Sequence, residues 1–255
     1  MTSHSAIVLF YKYFVPEEAP SIFHNHVDHY VEQLVKFQRD LCHKLELKGR
    51  LLVAPEGING TLSGATACVI QEYIREMKNW NIINDCPLPQ GVVNAIDDDN
   101  DDDDTDRARL FANVDWKESS VEDDDDDDDE LLEPFPDLKI SIVKEIVSTG
   151  GLVKCEEVTT KGGQHLTPEE FHQVLVDTTG SAGNNPKDNT KQVVLVDVRN
   201  TFEHDIGHFV HPISGQAAMN PEMVTFSSFD SNFCAKHVDE LKDKKVLLYC
   251  TGGIR

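Results

Sequence analysis

Basic side chains are scarce in this sequence: 23 Lys and Arg stand against 46 Asp and Glu, for a formal net charge of −23. That deficit excludes a broadly cationic surface of the kind that grips nucleic acid through its phosphates. Paired cysteines are missing as well. Cys42, Cys68, Cys86, Cys155, Cys234 and Cys250 include no Cys-x-x-Cys, so zinc-ribbon and thioredoxin-type spacings are excluded. No apolar run approaches the ~18 residues that a membrane span requires. The opening Met1-Thr-Ser-His-Ser is not basic, and Lys12 interrupts the apolar run behind it, so no secretory signal is expected. Together these absences lead to an expectation of a cytoplasmic protein with reduced thiols. His24, His26 and His29 scatter around a helix rather than sharing a face, and no metal site is expected from them.

Acid is abundant, and it is concentrated. A chain of 255 residues can hold one large or two modest domains. Residues 97–130 carry 19 acidic and 3 basic side chains, a net of −16, which leaves only −7 for everything else. The Asp runs at 97–104, broken by Asn100, and at 123–129 repel themselves and bury nothing, so an acidic disordered insert is predicted over 97–130. Between the runs lies a small apolar island, Leu110-Phe111-Ala-Asn-Val114-Asp-Trp116, able to dock on the neighbouring domain or on a partner.

Around that insert the periodicities predict an α+β domain over residues 1–96 and 131–150. Ala6 to Phe14 alternates as a strand. Ser21 is placed to cap a long amphipathic helix carrying Ile22, Val27, Val31, Leu34 and Leu41 to about Leu47. A second strand runs from Arg50 to Ala54. In Pro55-Glu56-Gly57-Ile58-Asn59-Gly60 the Asn-Gly pair is a strong hairpin signal, followed by a short strand at Thr61 to Ser63. A helix from about Ala65 to Trp80 comes next, and Pro136 to Val147 reads as the last strand. The order β-α-β-β-α-β is that of a ferredoxin-like sandwich, with the acidic segment interrupting its final crossover.

After Gly150 the chain changes character. Residues 151–190 read as a linker with one short helix, opened by the capping box Thr167-Pro-Glu-Glu170. Gln192 to Val198 is a near-continuous apolar run, as in a parallel strand covered on both faces, and Val246 to Tyr249 supplies its partner. That second strand delivers Cys250 into the loop Cys250-Thr251-Gly252-Gly253-Ile254-Arg255. The residue types suit a nucleophilic thiol: glycines let backbone amides turn toward the sulfur, and an arginine supplies fixed positive charge. Taken alone, the same residues also fit a strand ending in a buried cysteine and a Gly-Gly turn.

Cys250-Thr-Gly-Gly-Ile-Arg255 resembles the Cys-x-x-Gly-x-Arg active loop of rhodanese domains. Upstream, Asp197-Val198-Arg199 followed by Glu203-His-Asp-Ile-Gly207-His208 looks like the second rhodanese signature. Phe10-Tyr-Lys-Tyr-Phe14 and Pro55-Glu56-Gly57-Ile58-Asn59-Gly60 further resemble the amino-terminal domain of the bacterial rhodanese-type tRNA uridine hydroxylases. The resemblance implies an α/β fold with a ferredoxin-like domain followed by a partial rhodanese-like α/β/α parallel sheet over 191–255. It also implies oxygen-dependent 5-hydroxylation of the wobble uridine of tRNA, with molecular oxygen as co-substrate and no other cofactor evident. Cys250 and Arg255 would be catalytic, with Thr251, Gly252, Gly253 and Ile254 forming the loop. Asp197 and Arg199 would support the loop from beneath, and Glu56, Gly57 and Asn59 form a candidate amino-terminal motif.

Rhodanese domains continue past this loop into a helix aimed at the thiolate, whereas this sequence stops at Arg255, so an incomplete domain is expected. Contact with tRNA would rest on local patches such as Lys36, Arg39, Lys44, Lys48 and Arg50, whose plainer reading is the solvated face of one helix. Two other functions fit the same residues. One is a sulfurtransferase carrying persulfide on Cys250 from a sulfur-donor protein; the other is an inert rhodanese-like interaction protein whose acidic insert binds basic partners.

Overall fold

Alternation builds the first sheet. In the computed structural model, which describes residues 5–16, 18–88, 107–120, 134–180 and 193–254, strand β1 (Ala6–Tyr13) buries Ala6, Val8 and Phe10 and turns Ile7, Leu9 and Tyr11 the other way. β1 pairs antiparallel with β3 (Gly57–Gly64), and β3 with β2 (Lys48–Ala54). Between them run the short helix α1 (Ser21–Asn25) and α2 (Val27–Lys44), so the predicted single helix is broken at His26, and Ser21 stands inside α1 rather than capping it. Helix α3 (Ala67–Asn79) is capped by Thr66, whose hydroxyl accepts from the Val69 N–H, and a single turn α4 (Ile82–Asp85) follows.

The buried faces of α2 and α3 cover one side of the sheet and meet Val8, Phe10, Leu51, Val53, Ile58 and Leu62. A buried polar pair sits within this core. Gln38 is fully buried, its carbonyl accepting from the Tyr73 hydroxyl at 2.6 Å while its amide faces the Met77 sulfur at 2.8 Å. Such pairing is what makes an interior amide tolerable.

The strand that closes the sandwich is not the expected one. Lys117–Ser120, inside the segment predicted as insert, forms β4 and pairs antiparallel with β1. Leu138–Ile142 forms β5 and lies parallel to β2 at the opposite edge, giving the order β4-β1-β3-β2-β5. The first four strands thus have the ferredoxin-like arrangement, and β5 is an addition to it. The apolar island explains the difference: Ala108, Leu110, Phe111 and Val114 are buried in the core, with the Phe111 ring 5.8 Å from Trp80 and 6.1 Å from Phe14. Residues 107–120 therefore belong to the domain. The Asp runs on either side lie outside the described residues.

The hairpin turn is also displaced. Ala54 pairs with Gly57, so Pro55-Glu56 is the two-residue loop, and Asn59-Gly60 lies within β3. The glycines here serve close approach. A Cβ on Gly57 (φ 156°) would stand 2.2 Å from the Lys12 carbonyl, and one on Gly60 would stand 2.4 Å from a Leu51 methyl and 2.8 Å from the Phe10 ring. These contacts override the local turn preference.

The chain divides into two compact units, residues 1–146 with 155–159 and residues 147–154 with 160–255. Helix α5 (Cys155–Lys161) contributes its first five residues to the first. In the second, α6 (Pro168–Gly180) opens on the predicted capping box: Glu170 N–H donates to Thr167 Oγ1 and Thr167 N–H to Glu170 Oε2. β6 (Val193–Asp197), buried throughout, pairs in parallel with β7 (Lys245–Tyr249). Helix α7 (Thr201–Ile206) follows β6. A 3-10 turn (Phe226–Ser228), a π turn (Asp230–Cys234) and α8 (Ala235–Leu241) lead into β7.

Leu175, Leu195, Ala218 and Leu247 pack on one face of this pair, with Leu166 and Phe171 beside them. Val194, Val196, Val198, Met223 and Phe233 pack on the other. Residues 166–175 thus form a layer of this unit rather than a linker. The α/β class and parallel strand pair read from the sequence are both present.

Candidate active site

Parallel pairing places the carboxyl ends of β6 and β7 side by side, with Asp197 opposite Tyr249. Functional groups collect at such ends in open α/β sheets. Cys250 follows at once and packs against the cluster around Val196 and Phe233. Gly253 takes φ 73°, the left-handed region that favours glycine, and this turns its N–H back to donate to Cys250 Sγ at 3.0 Å. His165 approaches from the same unit: a Cβ on Gly253 would lie 3.4 Å from its Nε2. Gly252 is buried beneath the loop, while Thr251 is exposed. Arg255 lies outside the described residues.

Asp197 is fully buried and supports the loop through five hydrogen bonds. Its Oδ1 accepts from Arg199 Nε at 2.9 Å and from the Arg199 N–H at 3.1 Å; its Oδ2 accepts from Arg199 Nη2 at 2.7 Å, from Arg199 Nε at 3.2 Å and from the Tyr249 hydroxyl at 3.0 Å. Burial pushes this carboxyl up, but the donated hydrogen bonds from Arg199 and Tyr249 outweigh it and hold the group below its usual range. Arg199 also donates to the Gly207 carbonyl at 2.5 Å and stands over the Tyr249 ring. Tyr249 Oη in turn accepts from the Phe209 N–H at 2.9 Å. One buried carboxylate thereby ties β6, the Gly207 loop and the residue before Cys250 into one frame.

Glu203, which the motif contains but to which sequence reasoning gave no role, reaches the loop directly. Its Oε2 accepts from the Asn200 N–H at 3.1 Å at the start of α7, and its Oε1 accepts from Thr251 Oγ1 at 3.1 Å. The signal available beforehand was its position three residues after Asn200, the spacing of a capping box. Tyr249 was also passed over; a hydroxyl at the end of an otherwise apolar strand was the clue.

The amino-terminal motif lies in the first unit and has a structural clamp of its own. Glu56 Oε1 accepts from the Ile146 N–H at 2.7 Å, and Asn59 Nδ2 donates to the Ile146 carbonyl at 3.1 Å. The two side chains satisfy both sides of one residue's backbone, as a neighbouring strand would. Burial raises the Glu56 carboxyl above its usual range, against the lowering effect of the Ile146 N–H. Among the described residues no three His, Cys, Asp or Glu side chains gather to hold a metal ion, and no disulfide joins any two of the cysteines.

Comparison with known proteins adds a family. Residues 5–146 match the UPF0176 acylphosphatase like domain. A tRNA uridine(34) hydroxylase of Arthrobacter sp. is 33% identical over 86% of this chain and 57% of its own length. Proteins of the same name from Aster yellows witches'-broom phytoplasma and Corynebacterium jeikeium are each 31% identical, over 100% and 97% of this chain and 60% of their own lengths. The chain spans about three fifths of the length of these relatives.

Proposed function

Because this chain belongs to the UPF0176 family, we propose that it is a tRNA-modifying enzyme that hydroxylates the wobble uridine of tRNA at C5, with Cys250 as its essential thiol. The observation that carries the reading is the loop itself. A cysteine at the end of a parallel strand receives the Gly253 N–H at 3.0 Å and follows a frame in which the fully buried Asp197 carboxylate holds Arg199 and Tyr249, in a chain whose relatives are named for that reaction. Exchange of the C5 hydrogen for hydroxyl consumes one oxygen atom of molecular oxygen. The other leaves as water and takes up two electrons and two protons, which we assign to a thiol-class reductant closing to a disulfide.

In this reading the Gly253 amide steadies negative charge on the Cys250 sulfur during reaction. Arg255 would add positive charge at the same loop, and Thr251, held by Glu203, would fix the loop's shape. We place the reaction in the cytoplasm, with tRNA as the macromolecular partner; no helix among the described residues is long and apolar enough to cross a membrane. Persulfide transfer from a sulfur donor would use the same thiol, but the names of the relatives favour hydroxylation.

The test is incubation of the purified chain with unmodified tRNA, a dithiol and heavy-isotope oxygen, followed by mass analysis of the nucleosides. Label in 5-hydroxyuridine supports the reading. Unmodified uridine together with persulfide on Cys250 would replace it with sulfur transfer.

A further inference from the structure

Helices α2 and α3 cover one side of the first unit's sheet; on the other side Ile146 packs on Gly57 and its carbonyl accepts from Asn59 at one end, and the strand registers define what the rest of that face presents. Lys117, Leu9, Thr61, Arg50 and Lys139 are direct neighbours across β4, β1, β3, β2 and β5, a single row crossing the whole sheet on the side opposite the helices. Four strand spacings make that row about 19 Å long, with one cation at one end and two at the other. Tyr11 lies two residues along β1 on the same face; Lys117 stands over its ring at 5.7 Å and the Tyr13 ring meets it edge-on at 6.5 Å.

At the far edge Arg50 stands over the Phe135 ring at 5.8 Å. No strand residue on this side is acidic. Glu118 alternates to the helix side, where it accepts from Gln71 of α3. Among the described residues the carboxylates beside the cations are Asp115, paired with Lys117, and Asp137, 2.6 Å from Arg50; both are well exposed, and such pairs open at little cost. Glu56 and Glu145 lie at the Tyr13 end of the same face.

Aromatic rings beside cations on one sheet face, in a protein of net charge −23, form a surface for stacked bases flanked by phosphates. Unpaired nucleotides fit it. A duplex keeps its base faces stacked inside and offers an aromatic side chain nothing to stack on. We infer that the open face of the five-stranded sheet binds single-stranded RNA, with Tyr11 as a stacking platform and Lys117, Arg50 and Lys139 taking the phosphates. The inference rests on the reading of tRNA as substrate and specifies that reading: unpaired loop nucleotides, rather than a helical stem, lie on this domain. It also moves the RNA-binding surface away from the α2 patch of Lys36, Arg39 and Lys44.

The probes are a fluorescent octauridine and a blunt RNA duplex, titrated by anisotropy with the full chain at several salt concentrations. Octauridine is expected to bind more tightly than the duplex. Tyr11→Leu should weaken octauridine binding about 5- to 100-fold, with Tyr11→Phe restoring it. Arg50→Glu with Lys139→Glu should flatten the slope of log affinity against log salt by about 0.7 for each phosphate no longer neutralised. Reversal of Lys36, Arg39 and Lys44 to Glu should leave binding unchanged. Unaltered far-ultraviolet dichroism and denaturation midpoints establish that each variant is folded.

Octauridine binding that survives the face variants but disappears on reversing the α2 patch would overturn the inference and leave the tRNA reading standing. Failure of the wild-type chain to bind either probe would overturn both.

Discussion

Thr251 Oγ1 donates to Glu203 Oε1 at 3.1 Å across forty-eight residues of sequence, joining the loop that carries Cys250 to the first turn of α7. The same carboxylate caps that turn at the Asn200 N–H, so loop and helix share one side chain. Thr251→Val and Glu203→Gln should each change the rate of Cys250 alkylation at fixed pH. A double-mutant cycle should return a coupling of about 0.5–3 kcal/mol. Additive effects of the two changes would show that the hydrogen bond does not position the loop.

Asp197 gives the sharpest prediction for stability. Asp197→Asn leaves the Arg199 guanidinium without its carboxylate and is expected to lower the stability of the second unit by about 3 kcal/mol, measured by denaturant unfolding. The pH dependence follows from the same group. Its folded pKa lies below the unfolded value, so its contribution is complete above the ordinary carboxylate range and disappears as pH falls through the depressed folded value. The wild type should lose this stability on acidification, and Asp197→Asn should show a flatter acid limb.

Glu56 behaves in the opposite sense. Its folded pKa is raised, so protonation favours the folded state, and the corresponding stability is lost as pH rises through the folded value. Glu56→Gln keeps an oxygen acceptor for the Ile146 N–H while removing the charge. It should preserve the fold and abolish that part of the pH dependence in a thermal melt. Asn59→Ala removes a hydrogen bond to the Ile146 carbonyl and is expected to cost about 1 kcal/mol.

Residue Phe111 tests the boundary of the first domain. Fully buried and in ring contact with Phe14 and Trp80, it should cost about 3–5 kcal/mol on truncation to Ala. A neutral result would return residues 107–120 to the status of an insert.

That boundary also shows where sequence reading stops. Alternation revealed β1, and the Thr167–Glu170 spacing revealed the start of α6, because both signals are local. β4 was illegible: Lys117-Glu-Ser-Ser120 has no apolar alternation, and its place in the sheet is set by β1 and by the burial of Leu110 and Phe111 just before it. The Asn59-Gly60 pair looked like a turn because its glycine was read for backbone freedom, whereas Gly60 makes room for Phe10 and Leu51. At the site, the Cys250 loop and the Asp197–Arg199 pair could be read from motif and spacing. The Glu203–Thr251 and Glu56–Ile146 hydrogen bonds join residues 48 and 90 positions apart, and no local pattern encodes such pairs.

The proposed hydroxylation of tRNA stands or falls with the Cys250 thiol. It is tested most directly by expressing the chain, wild type or Cys250→Ser, in cells that lack 5-hydroxyuridine and weighing the wobble nucleoside of their tRNA. The account predicts a wobble uridine one oxygen atom heavier with the wild type and unmodified uridine with the serine variant at equal protein level. Equal hydroxylation by both would contradict it.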